Sequence, residues 1–245
     1  MSDFQSIAAR SSAPANMAVD AGLRGFMLGI YNKMAMGLVL SAAIAGAIGS
    51  SDALSALVFG TPLRYVVMFG PLALLLVSAF AMRRPSPLGA GLVYWTVTAL
   101  IGASLGAWVM AARAGVGVDF LTIAKAFFIT ATAFGALSLW GYTTRRDLSG
   151  FGTFLLMGVV GLVLASLVNL FFASSVLGFA ISLLGVLIFS GLTAFDTQRL
   201  KNDYYALQGD QRSMAVATTL GALSLYLNFV NLFQFILSMM SGREE

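Results

Sequence analysis

Two residue types that often carry out chemistry in proteins are missing from this sequence. None of the 245 residues is cysteine, which excludes disulfide bonds and thiolate metal sites. None is histidine, so the chain lacks the usual general base, the usual zinc ligand and the side chain that titrates near neutral pH. A serine–histidine dyad and an HExxH metalloprotease site are therefore excluded. Because nothing in the sequence activates a serine and no redox cofactor ligands are visible, we do not expect an enzyme.

Charged residues are also scarce. They make up only 10% of the chain, whereas a soluble domain carries roughly a quarter. Hydrophobic residues make up 59%, the mean hydropathy is +0.89, and the apolar residues form long blocks rather than amphipathic stripes. In lipid, helices satisfy their own backbone hydrogen bonds. The composition therefore predicts an all-α membrane protein whose main partner is the lipid bilayer.

Seven apolar blocks are each close to the ~20 residues that a helix needs to cross a bilayer. The predicted spans are 27–49, 65–82, 88–112, 121–142, 151–173, 176–198 and 214–240. Residues 1–24 are polar and lack the pattern of a cleavable signal peptide, so we interpret them as a flexible cytoplasmic tail. Residues 25–245 then form a seven-helix transmembrane domain.

Lysines and arginines predict the orientation of these spans. The N-terminal side carries ten of them: Arg10, Arg24, Lys33, Arg83, Arg84, Arg145, Arg146, Arg199, Lys201 and Arg212. The other side carries four: Arg64, Arg113, Lys125 and Arg243. The positive-inside rule places the N-terminus in the cytoplasm and, with seven spans, the C-terminus outside. It also explains the net charge of +4, which we therefore do not read as a sign of nucleic-acid binding.

The last apolar block has one polar face. Ser224, Asn228, Asn231 and Ser238 fall within roughly an 80° arc of a helix, and this face should point into the bundle rather than at lipid. One interpretation is that the amides hold helices together, at about 0.6 kcal/mol each. The other is that they line a water-accessible cavity or a permeation path.

A single aspartate, Asp196, follows the uncharged run from Ser174 to Ser190. It lies about one turn from the cytoplasmic end of the sixth span, where a charge requires a partner. Arg83 is the favoured partner, since it ends the second span on the same side of the membrane. Arg84 is an alternative, and Arg199 lies three residues away along the same helix.

Several motifs resemble one known family. They are ALSLYLNFVNLFQFIL (Ala222 to Leu237), FDTQRLK (Phe195 to Lys201), AMRRPSPLGAGLVYWT (Ala81 to Thr96) and YNKMAMGLVLSA (Tyr31 to Ala42). They are similar to sequences of the transmembrane Bax inhibitor motif family, in the Bax inhibitor-1 group, and the last is similar to bacterial members. The resemblance implies a multi-pass protein of the bacterial inner membrane, with six helices surrounding a central seventh.

The resemblance also implies a function. Members are described as pH-sensitive calcium leaks gated by two aspartates that an arginine bridges. Carried over position by position, the arginine falls on Arg83, the sixth-span aspartate on Asp196 and the seventh-span aspartate on Asn228. Two carboxylates would titrate as a coupled pair and give Ca²⁺ two charged oxygen ligands. Asn228 keeps an oxygen but loses the charge, which weakens a pH-gated path.

The predicted function is therefore a calcium or cation leak in ion homeostasis, with Arg83 and Asp196 as the gate. Ser224, Asn228 and Asn231 would line the pore, and Asp196 and Asn228 are the candidate metal ligands. Ca²⁺, as a transported or bound ion, is the only cofactor we consider. The alternative is a membrane interaction protein, since some bacterial relatives are similar to modulators of an ATP-dependent membrane protease that act through a cytosolic N-terminal tail.

Overall fold

The structure is a computed structural model. It describes the backbone of residues 2–81 and 85–241, and the side chains of residues 21–80 and 85–241. Within these ranges it has eight helices and no strand: α1 (Ser2–Ser50), α2 (Asp52–Phe59), α3 (Leu63–Ala81), α4 (Pro87–Ala114), α5 (Phe120–Thr143), α6 (Ser149–Phe172), α7 (Ser175–Ala206) and α8 (Gln211–Ser241). Arg83 and Arg84 lie outside the described residues.

Seven of these helices are long and apolar enough to cross a membrane, which confirms the predicted number of spans. They cover Ala21–Ser50, Leu63–Phe80, Pro87–Ala114, Phe120–Thr143, Ser149–Phe172, Ser175–Ala206 and Gln211–Ser241. Because α1 begins at Ser2, its backbone includes most of the segment predicted to be a tail. That residues 1–24 are flexible stays a prediction.

The short helix α2 was not predicted. It begins after Ser51, whose side chain accepts a hydrogen bond from the Leu54 amide at 3.4 Å and so caps the first turn. The Arg113 guanidinium at the end of α4 contacts the Asp52 carboxylate at 2.9 Å and the Ser50 carbonyl at 2.9 Å. These contacts join the α1–α2 turn to α4.

Helix α8 lies at the centre of the bundle, as expected. In the most apolar 18-residue segment of α8, 67% of the residues are buried, whereas the corresponding segments of the other spanning helices have 44% or less buried. Within the described residues it packs against α1, α4, α5 and α7 but not against α3 or α6, so four helices surround it rather than the six that the resemblance implies. Tyr226 on α8 is fully buried, and its hydroxyl lies 2.6 Å from the Ser41 hydroxyl of α1. Such contacts satisfy polar groups away from water.

Helices α5 and α7 approach each other closely at a glycine. A Cβ added at Gly141 would overlap the Ala194 carbonyl oxygen, so no larger residue fits there without a shift. Small residues allow this kind of close helix contact in membranes. The contact fixes the position of α7 immediately before Asp196.

Helices α3 and α6 lie at the edge of the bundle. Among the described residues, α3 packs only on α2 and α4, and α6 packs only on α7. In the most apolar 18-residue segments of α3 and α6, only 6% and 11% of the residues are buried. Since the two backbones approach neither each other nor α8, a cleft remains between them on the side of the bundle that faces lipid.

Candidate functional site

Asp196 is buried on α7, facing α8. The Ser174 side chain caps the start of α7, and the helix then continues for 32 residues. Near the aspartate, the hydroxyls of Thr193 and Thr197 donate to the carbonyls of Phe189 and Thr193, each at 2.8 Å. These bonds keep the buried hydroxyls satisfied, and in the described part of α7 Asp196 is the one buried residue that carries a charge.

Three donors hold the Asp196 carboxylate. Arg199 Nη1 lies 2.9 Å from Oδ1. Ser224 Oγ donates to Oδ2 at 2.5 Å, and Asn228 Nδ2 donates to the same oxygen at 2.7 Å. A buried charge is tolerated when an opposite charge and further hydrogen bonds compensate for its lost hydration. The carboxylate therefore ties α7 to α8.

Arg199 is the cation that contacts Asp196 within the described residues. Its side chain is 44% exposed, its Nη2 donates to Ser224 Oγ at 3.3 Å, and its guanidinium lies 5.8 Å from the centre of the Phe195 ring. The sequence had offered Arg199 as an alternative to Arg83. Pairing between Arg83 and Asp196 stays a prediction, because Arg83 lies outside the part of the chain that is described.

The polar face of α8 points towards α7 and towards cavities. Ser224 and Asn228 contact Asp196, and the Ser238 hydroxyl accepts from Ser182 at 3.2 Å. Asn231 donates to the Leu227 carbonyl of its own helix at 2.8 Å and lines a cavity. Both interpretations of this face thus have support, since some of its side chains hold helices together and Asn231 lines open space.

Three cavities follow the line along which α7 and α8 meet. The surface cavity, of about 680 Å³, lies where α7 ends and α8 begins. The central cavity, of about 550 Å³, lies beside Asp196. The far cavity, of about 330 Å³, lies near the start of α7 and the end of α8, beside Ser182 and Ser238.

Neighbouring cavities share lining residues. Arg199 lines both the surface and the central cavity. Ser166 and Asn231 line both the central and the far cavity. The three cavities therefore form a series from one end of the bundle to the other, with Arg199 at the first junction.

A comparison with protein-family models identifies the family of this chain. The family model for "Inhibitor of apoptosis-promoting Bax1" matches residues 23–245. The chain belongs to the Bax inhibitor-1 family. This confirms the resemblance carried by the motifs.

Curated relatives match this chain over nearly their full length. A protein of Caulobacter vibrioides is 57% identical over 256 aligned residues, which cover 100% of both chains. The protein RP147 of Rickettsia prowazekii is 38% identical, over 94% of each chain. The inner membrane protein YbhL of Escherichia coli K12 is also 38% identical, over 91% of this chain and 94% of its own.

One Bax inhibitor-1 motif, FDTQRLK, also performs a structural task that the sequence did not predict. Gln198 Oε1 accepts from the Leu148 amide at 2.8 Å, and its Nε2 donates to the Arg146 carbonyl at 2.7 Å. Lys201 Nζ donates to the Tyr142 carbonyl at 3.1 Å and lies 5.3 Å from the centre of that ring. These contacts hold the α5–α6 connection against α7. The signal in the sequence was a glutamine two positions and a lysine five positions after Asp196.

The candidate metal ligands remain a pair. Within the described ranges, no group of three or more acidic, histidine or cysteine side chains is placed to hold one metal ion. Asp196 and Asn228 lie in contact and both line the central cavity. Their oxygens are of the hard type that Ca²⁺ prefers, and their role as metal ligands stays a prediction.

Proposed function

We propose that the protein is a passive cation leak of the bacterial inner membrane, with Ca²⁺ as its favoured ion and ion homeostasis as its role. The observation that carries the proposal is the series of three cavities that passes the buried carboxylate of Asp196. Membership of the family and the inner-membrane relative YbhL support it. The N-terminus would lie in the cytoplasm and the C-terminus outside, as the basic residues predict.

Asp196 would attract the ion. It is the buried carboxylate on the route, and Asn228 beside it adds a carbonyl oxygen. Hydrated Ca²⁺ exchanges some of its water for such oxygens and tolerates irregular coordination. The remaining ligands would be water in the cavities.

Arginine would close the route. The Arg199 guanidinium occupies the Asp196 carboxylate and stands between the surface and central cavities, so its charge opposes the entry of a cation. To reach the Asp196 carboxylate, a cation would have to displace this guanidinium, and that displacement would open the route. Arg83 remains the second candidate for the gate. In support of it, Pro85, two residues after Arg83, lines the same surface cavity as Arg199.

Asn228 would alter the pH response. Its amide donates to Asp196 at 2.7 Å, which is the hydrogen bond that a protonated carboxylic acid would make in its place. A carboxylate at this position would repel Asp196 unless the two shared a proton. We therefore propose that this chain has little of the pH gating that two carboxylates would provide.

A flux assay in liposomes tests the proposal. Purified protein is reconstituted around a trapped Ca²⁺-sensitive dye, and influx is measured from pH 6 to pH 8. The wild type should exceed empty liposomes, and Asp196→Asn should reduce influx about tenfold, equivalent to about 1.4 kcal/mol in the barrier. Asn228→Asp should create a pH dependence that the wild type lacks, with more influx at pH 8, where the two carboxylates repel each other.

Asp119→Asn is the matched control. Asp119 is an exposed cap of α5, and hydrogen bonds from Thr122 keep its pKa below the usual range, so the control also removes one negative charge. Asparagine caps helices equally well, and influx should be unchanged. Influx equal to that of empty liposomes for every variant and pH would remove the proposal.

A further inference from the structure

The central cavity is open to lipid. Its outer walls are apolar side chains of α3 and α6, among them Leu72, Leu156, Val163 and Leu167, each about half exposed. Because the backbones of these two helices do not approach each other, no helix in the described part of the chain covers the cleft between them. In a bilayer, hydrocarbon has access to this apolar outer side of the cavity, whereas Asp196, Asn228 and Asn231 line its inner side.

The surface cavity next to it is charged. Arg199, Arg212, Asp203 and Ser213 line it, so both signs of charge are present. It lies where α7 ends at Ala206 and α8 begins at Gln211, which is the depth at which lipid headgroups meet the ends of spanning helices.

The two cavities together have the polarity of a lipid molecule. Arg199 lines both of them, so the charged space continues directly into the apolar one. The charged part is at the end of the helices and the apolar part is deeper, which is also the direction in which a lipid of that leaflet lies.

We propose that the surface and central cavities bind one phospholipid with a phosphoethanolamine headgroup. Arg199 and Arg212 would hold the phosphate, because guanidinium groups fit phosphate oxygens. The Asp203 carboxylate would accept from the ammonium group. An acyl chain would lie in the α3–α6 cleft, against Leu75 and Leu156.

The mixed charge selects among headgroups. An anionic phosphatidylglycerol has no ammonium group to donate to the Asp203 carboxylate. The quaternary ammonium of phosphatidylcholine has no N–H to donate, whereas a primary ammonium has three. The lipid would lie in the same two cavities as the proposed ion route, so bound lipid would oppose flux. The measurements below follow lipid binding without measuring flux, so either proposal can fail while the other holds.

Thermal unfolding of the delipidated full chain in detergent tests the site. Equal mole fractions of palmitoyl-oleoyl phosphatidylethanolamine, phosphatidylcholine or phosphatidylglycerol are added. The ethanolamine lipid should raise Tm by roughly 2–4 °C more than the other two, and native mass spectrometry should retain one copy of it. Glycerophosphoethanolamine, the headgroup without chains, should have little effect.

Three variants and a control test whether the lipid binds in these two cavities. Asp203→Asn should abolish the preference for ethanolamine over choline, Arg212→Gln should weaken the response to all three lipids, and Leu75→Trp should weaken it by filling the cleft. Asp52→Asn, at the opposite end of the bundle, should respond as the wild type does.

Equal Tm shifts for the three lipids with the wild-type protein would overturn the proposal. A preference that survives in Asp203→Asn, or a full response to the headgroup alone, would also overturn it. Because the comparison of lipids uses the wild type, it remains decisive even if a variant does not fold.

Discussion

At the scale of single residues, the proposed function depends on the environment of Asp196. Its two carboxylate oxygens receive bonds from Arg199, Ser224 and Asn228, so α7 and α8 are joined by a charge that is already compensated. Sequence reasoning identified Asp196 because a carboxylate after an uncharged run needs a partner. It could not choose among three arginines, since that choice depends on how the helices pack.

Replacing Arg199 tests the pair. Arg199→Gln should lower the free energy of unfolding by about 1–3 kcal/mol, because a buried carboxylate oxygen loses its charged donor. The same change should raise cation influx, since the guanidinium no longer stands between the surface and central cavities. Thermal unfolding in detergent and the liposome assay measure the two effects.

Two further variants serve as comparisons for Arg199→Gln. Arg64→Gln removes an exposed arginine whose partner is the neighbouring Tyr65, and it should change neither property. If Arg83→Gln destabilises the protein more than Arg199→Gln does, then Arg83 is the main partner of Asp196, and Arg199 is not the residue that closes the route.

At the scale of helices, hydropathy predicted the seven spans but not their ends. The sixth span was predicted to end at residue 198, yet α7 continues to Ala206. Its extension carries Arg199 and Lys201, which bond to Ser224 and to the Tyr142 carbonyl. The apolar pattern ends at the first charged residue, whereas α7 continues because Arg199 and Lys201 form hydrogen bonds with neighbouring helices. Helix α2, with eight residues, was too short to be recognised as an element.

Two glycines of α5 form a matched test of helix packing. Gly141→Ala places a methyl group against the Ala194 carbonyl and should cost about 1–3 kcal/mol through overpacking. Gly135→Ala adds the same group where no atom lies within 4 Å, and should be neutral or stabilise the helix by up to about 1 kcal/mol. Unfolding in mixed detergent micelles measures both. Equal effects would mean that α5 and α7 are not in close contact.

At the scale of the molecule, the central position of α8 followed from the resemblance rather than from composition. Every spanning segment is apolar, so composition alone does not show which helix is surrounded. The burial of α8 agrees with its polar face, since an amide such as Asn228 avoids lipid by lying inside the bundle. The two hydrogen bonds of the Gln198 side chain could not be predicted from the sequence. They join it to Leu148, 50 positions earlier in the chain, and to Arg146, 52 positions earlier.

The alternative function belongs to this scale and stays a prediction. If the N-terminal segment recruits an ATP-dependent membrane protease, deleting residues 1–24 should abolish co-purification of that protease while the remaining chain still enters the membrane. Affinity purification from bacterial membranes, read out by mass spectrometry, compares the two chains. An unchanged amount of protease with the truncated chain would contradict this role.

Passage of cations along the cavities between α7 and α8 can be tested directly, because the chain has no cysteine of its own. A single Asn231→Cys variant, in reconstituted liposomes, is treated with a cationic methanethiosulfonate reagent, with Leu139→Cys on the exposed face of α5 as the control. We predict that the reagent modifies Cys at position 231 and stops Ca²⁺ influx, that dithiothreitol restores it, and that the control is unaffected. Complete modification with unchanged influx, or a thiol that the reagent never reaches, would show that cations do not take this route.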